Sequence, residues 1–387
     1  MKLELIATAS FGLEAVVRRE VEALGFPVTE REDGRITYVT NESGLVRSNL
    51  WLRCADRVLL KLGAFDAQTF EELFQGVRGL PWETLIPPDG HFVMNCSSVR
   101  SKLSSVPACQ SVAEKALVER LRDVYGIDRF AKSGAKYNIL LRILKDRVSV
   151  AVDTSGPGLH KRGYRTRQGE APIKETLAAA LVSLSFWQPG RLLADPLAGS
   201  GTIPIEAAMM ARGIAPGLGR KFAAEAWSFV PPEIWKRERA AAYKSIDLAA
   251  DVRILASDRD EAAVDVAREN AENAGVGDCI TFTRKTFAEF AASGEASENP
   301  RGILVTNPPY GERLGELPEA EALYKEIGAF LTAHRGWSLF LITTYKDFEK
   351  LALGRPADRR RKLYNGRLET TFYQVHGEKP KGKGDRK

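Results

Sequence analysis

The chain has 387 residues, of which 27% are charged and 44% hydrophobic, and its formal net charge is +6. This length predicts two or three domains that each bury a core, and the composition excludes a disordered chain and a membrane-embedded one. No apolar run approaches the roughly 20 residues that span a bilayer, and the first ten residues lack the pattern of a signal peptide. We therefore expect a cytoplasmic protein with no membrane partner.

The cysteines and histidines are few and dispersed. Four of each are present, and no two cysteines form a CxxC pair. This scatter predicts neither a disulfide framework nor a bound metal. Basic residues outnumber acidic ones by 56 to 50, an excess that favours a nucleic-acid partner only weakly.

An α+β pattern opens the chain. The strand-like KLELIATA is followed by LEAVVRREVEALGF, whose apolar residues recur at helical spacing before Gly25, and then by the alternating RITYVT. Between residues 45 and 155, short strand and helix patterns alternate. They end in KYNILLRILKDRVSVAVDTSG, which predicts a hairpin that turns at Lys145-Asp146-Arg147.

Residues 156 to 172, GPGLHKRGYRTRQGEAP, predict a connector because glycine and basic residues replace apolar ones. Tyr164 and a set of basic residues in this segment could contact a base and phosphates. An ordinary solvated surface is the alternative interpretation. The basic residues are Lys161, Arg162, Arg165 and Arg167.

After this connector the chain alternates regularly between strands and helices. The strands RLLADP, RILASD, CITFTR, GILVTNPP and WSLFLITT predict a doubly wound parallel sheet. A final hairpin is predicted to turn at Asn365-Gly366. Residues 213 to 250 interrupt this alternation of strands and helices and are interpreted as an insertion. The composition of residues 378 to 387 predicts a basic tail.

The first strand end of this sheet reads DPLAGSG. Gly199 and Gly201 allow a tight turn and a close approach to a ligand, and Asp195 offers a carboxylate. The segment contains neither the GxGxxG dinucleotide pattern nor a P-loop. A glycine-rich turn can equally be a packing feature, so this motif alone does not define a site.

The second strand end reads ILASD and closes on Asp258. An acidic residue in this position is a natural acceptor for the hydroxyl groups of a ribose. The alternative is that Asp258 or Asp260 caps the following helix, and this alternative is the better interpretation for Asp260.

The fourth strand ends on Asn307-Pro308-Pro309-Tyr310. An exocyclic amine on a base is a poor nucleophile because its lone pair is delocalised into the ring. Two acceptors, the Asn307 side-chain oxygen and the Pro308 carbonyl, could hold its hydrogens and direct the nitrogen at an electrophile. The prolines make this turn rigid, and Tyr310 gives a face on which a base could stack.

Together, DPLAGSG, ASD and NPPY resemble the motifs of class I S-adenosylmethionine-dependent methyltransferases that act on amino groups. RGYR followed by APIKET is similar to the segment that precedes the first strand in one subgroup, where Pro172 to Thr176 would lie near the methionine part of the cofactor. The third strand end departs from the pattern. Thr286 stands where an acidic residue often contacts adenine, so a backbone amide and Phe287 would hold the adenine instead.

The N-terminal half resembles a ferredoxin-like segment followed by a THUMP domain. The whole chain is therefore similar to THUMP-containing RNA methyltransferases of the bacterial ribosomal guanine-N2 type. The resemblance implies an α/β fold in which an α+β ferredoxin-like and THUMP module precedes a Rossmann-like domain with a mixed seven-stranded sheet. The expected domains are residues 1–55 (ferredoxin-like), 56–160 (THUMP), 161–377 (methyltransferase) and 378–387 (tail).

The implied activity is methyl transfer from S-adenosylmethionine to the N2 amine of a guanine, in 23S ribosomal RNA or, as a possible alternative, in transfer RNA. Three other functions stay open from the sequence. NPPY alone does not distinguish guanine N2 from adenine N6 in DNA, and a protein glutamine amide fits the same acceptors. A non-catalytic RNA-binding assembly factor could retain the fold, but the intact motifs argue against it.

Overall fold

The computed structural model describes residues 1–165, 173–311 and 317–378. The chain forms two compact units, and it passes between them more than once. The first unit contains Met1–Ala9, Val17–Leu159 and Arg220–Ala241; the second contains the described residues of Ser10–Val16, His160–Gly219 and Ala242–Lys387.

The first unit is built on a seven-stranded sheet, with strand order β2-β3-β1-β4-β7-β6-β5. Its strands are β1 (Leu3–Ala9), β2 (Val28–Glu32), β3 (Arg35–Thr40), β4 (Ala55–Asp66), β5 (His91–Val99), β6 (Lys136–Leu144) and β7 (Arg147–Asp153). The helices of this region are α1 (Glu14–Ala23), which begins in the second unit, α2 (Glu42–Trp51), α3 (Phe70–Arg78) and α4 (Val106–Tyr125).

One sheet runs through both predicted N-terminal domains, because β4 pairs with β1 on one side and with β7 on the other. The predicted division of this region at residue 55 stays a prediction. The hairpin predicted between β6 and β7 is confirmed, but Arg147, which was predicted to lie in the turn, pairs with Leu144 as the first residue of β7. Its turn residues Lys145 and Asp146 both have positive φ, +52° and +66°, as tight two-residue hairpins require.

Part of the predicted insertion at residues 213 to 250 belongs to the core of the first unit. Trp227 is buried, stacks on Tyr137 with ring centroids 5.0 Å apart, and donates a hydrogen bond to the Lys136 carbonyl at 3.1 Å. Phe222 and Trp235 stack on each other in the same segment. These three aromatic residues are therefore packing residues of the first unit.

The second unit contains a mixed seven-stranded sheet, with strand order β10-β9-β8-β11-β12-β14-β13, which confirms the predicted architecture. Its strands are β8 (Leu193–Asp195), β9 (Ile254–Asp258), β10 (Ile280–Arg284), β11 (Ile303–Thr306), β12 (Ser338–Thr343), β13 (Arg359–Asn365) and β14 (Leu368–Val375). Strands β8 to β12 are parallel, and the β13–β14 hairpin is antiparallel.

The helices of this half of the chain are α5 (Glu175–Leu184), α6 (Thr202–Ala211), α7 (Pro232–Lys244), which belongs mostly to the first unit, α8 (Glu261–Asn273), α9 (Phe287–Ala292), α10 (Gly294–Glu298) and α11 (Leu317–Ala333), with a π-helical turn at Glu349–Leu353. An aromatic cluster that includes Tyr324, Phe330 and Trp337 packs beneath the sheet. Within the described ranges, no helix has both the length and the apolar character needed to cross a bilayer.

The turn of the last hairpin lies one residue later than predicted. Asn365 pairs with Leu368 as the final rung of the ladder, so the turn residues are Gly366 and Arg367. Gly366 has a φ of +64°, a conformation that glycine adopts without steric cost. The prediction placed this glycine second in the turn, whereas it is the first turn residue.

Candidate active site

The three sequence motifs meet at one edge of the second sheet. Strands β9, β8 and β11 are consecutive neighbours and run parallel, so their carboxyl ends share an edge. Asp195 ends β8, Asp258 ends β9, and Asn307 directly follows β11. In an open α/β sheet this edge is where ligands bind.

The glycine-rich loop turns tightly and is attached to β9. Gly199 and Gly201 both have positive φ, +51° and +78°. A Cβ added at Gly201 would lie 2.9 Å from the Cβ of Ala267, so a larger residue would disturb the packing of α8 on this loop. The Gly199 N–H donates to the Asp258 carboxylate at 2.9 Å, and the Ala198 N–H donates to the Ser257 carbonyl at 2.9 Å.

Asp195 connects the first strand end to the fourth. Its Oδ1 accepts a hydrogen bond from the Thr306 hydroxyl at 2.7 Å and another from the Leu197 N–H at 3.3 Å. The side chain is buried. Burial raises the pKa of Asp195 to about 7, although these hydrogen bonds lower it. Burial therefore favours the protonated form of this carboxyl.

Asp258 uses both carboxylate oxygens within the protein. One oxygen accepts the Gly199 N–H, and the other accepts the Asp260 N–H at 3.0 Å. Each oxygen has a second lone pair, so the carboxylate can still accept a ligand hydroxyl. Asp260 caps α8 by accepting the Ala262 N–H at 3.0 Å, which matches the alternative interpretation of this residue.

A cavity of about 520 Å³ opens beside this loop. That volume lies in the range of small-molecule and cofactor sites. Its walls are mostly apolar, and its polar groups include the Asp195 carboxyl and the Asn307 amide. A Cβ at Gly199 would meet no atom within 4 Å, so open space remains above the loop. The lining residues are Ile173, Asp195, Leu197, Ala198, Gly199, Ser200, Thr202, Ile203, Asp260, Ala262, Ala263, Val266 and Asn307.

The turn formed by residues 307 to 310, the NPPY turn, is held by hydroxyl groups. The Tyr324 hydroxyl donates to the Pro309 carbonyl at 3.1 Å, and the Tyr310 hydroxyl donates to Asn307 Oδ1 at 2.6 Å. The Asn365 side-chain amide donates to the Tyr310 hydroxyl at 3.3 Å. The oxygen predicted to accept a hydrogen of the target amine thus already accepts one hydrogen bond from Tyr310, and its second lone pair can accept another.

Two predicted adenine contacts lie away from the cavity lining. Thr286 caps α9 in a reciprocal arrangement with Glu289. Phe287 is buried in the core, with its ring centroid 6.0 Å from that of Phe330. In this conformation Phe287 packs inward, and no contact supports its proposed packing against adenine. That role stays a prediction.

The predicted RNA contacts of Arg162 and Arg165 require correction. Arg162 is 3% exposed, and its Nε donates to Glu206 at 3.2 Å in an equally buried ion pair. Arg165 donates to the Thr202 hydroxyl at 2.6 Å and forms an ion pair with Glu175 at 3.3 Å. Both arginines stabilise helices of the second unit, because the buried carboxylates of Glu206 in α6 and Glu175 in α5 need a cationic partner.

Tyr164 also points inward, and its hydroxyl donates to Glu206 at 3.3 Å. Burial, with a smaller contribution from the Glu206 charge, raises the pKa of Tyr164 well above its ordinary value. Glu206 was missed in the sequence analysis. A signal for it existed, since a carboxylate within the apolar helix IPIEAAMMA predicts a buried partner of opposite charge.

The other predicted site residues lie outside the cavity lining or outside the described residues. Lys161 is exposed, and Thr176 is buried in α5 outside the cavity lining, where the neighbouring Ile173 lies instead. Arg167 and Pro172 lie outside the described residues.

Comparison with known proteins gives three matching domain families. Residues 162–374 match the RMKL-like methyltransferase domain, residues 4–59 the RlmL ferredoxin-like domain, and residues 67–153 the THUMP domain. The chain is 43% identical to YpsC of Bacillus subtilis, provisionally named an RNA methyltransferase, with 96% of each chain covered.

A second relative is longer. The chain is 36% identical to the ribosomal RNA large subunit methyltransferase K/L of Psychromonas ingrahamii, and the match covers 95% of this chain but 50% of that protein. Among solved structures, SMU.472, described as a candidate methyltransferase complexed with S-adenosylhomocysteine (SAH), superimposes with a TM-score of 0.91. That structure is 40% identical, and the match covers 98% of this chain and 99% of SMU.472.

Proposed function

Because the chain belongs to the RMKL-like methyltransferase family, whose cofactor is S-adenosylmethionine, we propose that it methylates the exocyclic N2 amine of a guanine in 23S ribosomal RNA. The observation that carries the proposal is the position of Asn307. Its amide lines the cavity beside the glycine-rich loop and directly follows a strand end, so an amine held there would face a cofactor held by that loop.

This cofactor fits the residues of the cavity together with Asp258, which bonds the lining residue Gly199 but does not itself line the cavity. Asp258, at the end of the second strand, would accept hydrogen bonds from the ribose, and the loop at Gly199 and Gly201 leaves room for the ligand at the backbone. The apolar wall of α8 gives a surface for a flat ring. When bound, S-adenosylmethionine supplies an electrophilic methyl group on a sulfonium.

The protein's contribution to the chemistry is the alignment of a weak nucleophile. Asn307 Oδ1 and the Pro308 carbonyl would accept the two hydrogens of the amine, which directs the nitrogen lone pair toward the cavity. The Tyr310 hydroxyl uses one lone pair of Asn307 Oδ1 and leaves the other for the amine, and the Tyr310 ring would stack on the base. Solvent could take the proton after methylation, because the amine becomes acidic only as it is alkylated.

RNA is favoured as the substrate over DNA or protein by two observations. A THUMP domain spans residues 67–153, and the longer relative is named for the RNA of the large ribosomal subunit. The choice of N2 over other amines rests on the resemblance of the whole chain, since an amide acceptor fits several planar amines equally well.

The test is transfer of labelled methyl from S-adenosylmethionine to large-subunit ribosomal RNA transcribed without modifications. The RNA would be digested, and the labelled nucleoside identified by mass. We expect N2-methylguanosine with the wild type. Label found in N6-methyladenosine instead, or transferred only to DNA or to a protein glutamine, would overturn the assignment.

Asn307→Ala should lower the rate about 100-fold to 1000-fold, as the loss of one preorganised transition-state contact does. Its affinity for SAH, measured by calorimetry, should change little. The control is Asn299→Ala, because Asn299 bonds the Glu295 carbonyl away from the cavity. Equal losses of rate and cofactor affinity would contradict the acceptor role of Asn307.

A further inference from the structure

The sheet of the first unit has one face that is covered and one that is open. Residues that lie opposite each other on neighbouring strands point to the same side of a sheet, so the strand register assigns each side chain to a face. The face that carries Leu5, Tyr38 and Leu60 is buried, and helices such as α2 pack on these strands. The opposite face, which we call the open face, carries the partly exposed Arg35 and Arg142.

The open face is strongly concave. Glu32 in β2 accepts a hydrogen bond from Arg142 Nη1 in β6 at 2.6 Å. Four strands lie between β2 and β6 in the sheet. Neighbouring strands are about 4.8 Å apart, so a flat sheet would separate these two by roughly 24 Å. The sheet therefore curls until β2 and β6 face each other, and it encloses a cavity of about 300 Å³.

Positive charge exceeds negative charge on the wall of this cavity. Its cations are Arg35, Lys61, Arg142, Lys145 and Arg147, and its carboxylates are Glu30 and Glu32. Three of the cations already have carboxylate partners, in the pairs Lys61–Glu4, Arg142–Glu32 and Arg147–Asp66. Neither Arg35 nor Lys145 forms a side-chain ion pair with any residue that the structure describes.

The environment of Arg35 favours an anionic ligand. Burial lowers the pKa of Arg35, and the charge of Arg142 lowers it further, whereas Glu32 and Glu30 act in the opposite direction. The guanidinium nevertheless stays charged, because arginine does not lose its proton in proteins. A partly buried cation that faces a second cation is unfavourable unless an anion binds between them. The planar fork of a guanidinium matches the oxygens of a phosphate.

The surface beside the cavity favours a phosphate that belongs to a chain. The residues that β5 and β6 place on the open face include Asn95, Ser97 and Lys136, and none of them is a carboxylate. Lys145 extends this surface at the turn that follows β6, and its side chain is exposed. A phosphodiester chain could therefore cross β5 and β6 without like-charge repulsion while one of its phosphates enters the cavity.

We propose that the open face binds the backbone of the substrate RNA, with one phosphate in the cavity between Arg35 and Arg142 and a neighbouring one beside Lys145. The inference rests on the proposed function for the identity of the polyanion, because the cavity itself requires only a phosphate. The site would use both N-terminal domains, since Arg35 lies in the ferredoxin-like match and the other two cations lie in the THUMP match.

The test measures the affinity of the full chain for unmodified large-subunit ribosomal RNA between about 50 and 200 mM salt. Arg35→Met keeps a long side chain and removes its charge. We expect an affinity about 10-fold lower, as the loss of one charged hydrogen-bonded contact gives. The slope of log affinity against log salt should decrease in magnitude by about 0.7, the value for one phosphate of a single strand. Arg35→Lys should keep the wild-type slope but lose part of the affinity, because it keeps the charge without the fork.

The matched control is Arg78→Met, which removes the same charge from α3, where Arg78 pairs with Asp123 at 2.7 Å. Its affinity and slope should match those of the wild type. Stability then separates a ligand site from a structural cation. Because Arg142 repels Arg35, Arg35→Met should unfold at the same denaturant concentration as the wild type or at a higher one. A clear loss of stability together with normal RNA binding would overturn the proposal.

Inorganic phosphate alone distinguishes an RNA site from a site for a free anion. Thermal unfolding of the wild type and of Arg35→Met is compared with and without millimolar phosphate. Arg35-dependent stabilisation by phosphate, combined with an RNA affinity that is the same in both proteins, would assign the cavity to a free anion and overturn the RNA proposal. A loss of RNA affinity in Arg35→Met supports it.

The two proposals fail in different ways. A wild type that binds RNA through Arg35 but transfers no methyl to guanine N2 would overturn the proposed function and retain the open face as an RNA site. A wild type that methylates the RNA while Arg35→Met keeps wild-type affinity and slope would overturn the open-face site alone. A wild type that binds no RNA would overturn both.

Discussion

The hydroxyl of Tyr310 donates a 2.6 Å hydrogen bond to Asn307 Oδ1, the oxygen predicted to accept the target amine. The side chain that would stack on the base therefore also contacts the acceptor before the base arrives. An amide oxygen has two lone pairs, so the amine can donate to the second one while the Tyr310 hydroxyl keeps the first. The internal hydrogen bond would then orient Asn307 for the base.

Replacing Tyr310 with two different residues separates its two roles. Tyr310→Phe removes the hydroxyl and keeps the ring, so we expect a methyl-transfer rate at or above that of the wild type. Tyr310→Ala also removes the ring and should lower kcat/KM about 10-fold or more, since stacking of a base on an aromatic side chain contributes about 1–3 kcal/mol. A large loss in Tyr310→Phe would show that the hydroxyl itself is needed for transfer.

Asp258 is predicted to bind the cofactor both directly and through the glycine-rich loop. Asp258→Ala removes the acceptor for the ribose and for the Gly199 N–H, and we expect SAH to bind on the order of 10-fold to 100-fold more weakly. Asp258→Asn keeps one oxygen for the Gly199 N–H, so its affinity for SAH should lie between those of the wild type and Asp258→Ala. The measurement is calorimetric titration with SAH.

The control for this series is Asp265→Ala, on the exposed side of α8, where the carboxylate pairs with Arg268. Its affinity for SAH should match that of the wild type. Normal binding in Asp258→Ala would show that Asp258 has no ribose role.

Asp195 should make stability depend on pH in a predictable direction. Its pKa in the folded protein is about 7, above the usual 3.8, because burial disfavours the ionised carboxyl. The folded state therefore holds the proton more tightly than the unfolded state between these values. The stabilising contribution of Asp195 to the free energy of unfolding is fully present below about pH 3.8 and is lost as the pH rises through 7.

Asp195→Asn tests this pH dependence, because the amide keeps an oxygen for the Thr306 hydroxyl and cannot ionise. The variant should gain stability relative to the wild type as the pH rises from 5 to 8, by a few kcal/mol at most. Denaturant unfolding at several pH values measures the difference. A difference that stays constant across this range would mean that Asp195 is ionised throughout.

The strand ends of the site could be predicted because each is marked locally. An apolar run that stops at Asp195, Asp258 or Asn307 shows both where a strand ends and which polar group follows it. Parallel strands then place these residues at one edge of the sheet. The NPPY turn and the loop at DPLAGSG needed no long-range information beyond this rule.

The features that the sequence did not reveal all depend on distant partners. Strand β4 joins the two N-terminal segments into one sheet through pairings with β1 and β7, and residue patterns do not specify which strands pair. The membership of residues 220–241 in the first unit also depends on a contact that is distant in sequence. Trp227 stacks on Tyr137, about 90 residues earlier in the chain. The basic connector was interpreted from composition, which cannot tell an exposed arginine from a buried one.

Arg162 gives a last prediction, which distinguishes a structural cation from an RNA contact. Its guanidinium forms a buried pair with Glu206, and the Tyr164 hydroxyl donates to the same carboxylate. Arg162→Met would leave Glu206 buried without its cation, and removal of one partner of a buried pair typically costs about 3–5 kcal/mol. We expect a loss of stability of this size in denaturant unfolding.

The double variant Arg162→Met/Glu206→Leu should recover much of that loss, because two apolar side chains can replace a buried ion pair without leaving a charge unpaired. Lys161→Met, next in the chain but exposed, should leave stability unchanged. If Arg162→Met instead kept full stability and weakened RNA binding, the arginine would face the RNA, and its pairing with Glu206 would not be the dominant state. Recovery in the double variant would establish that the charge of Arg162 serves to neutralise the buried Glu206.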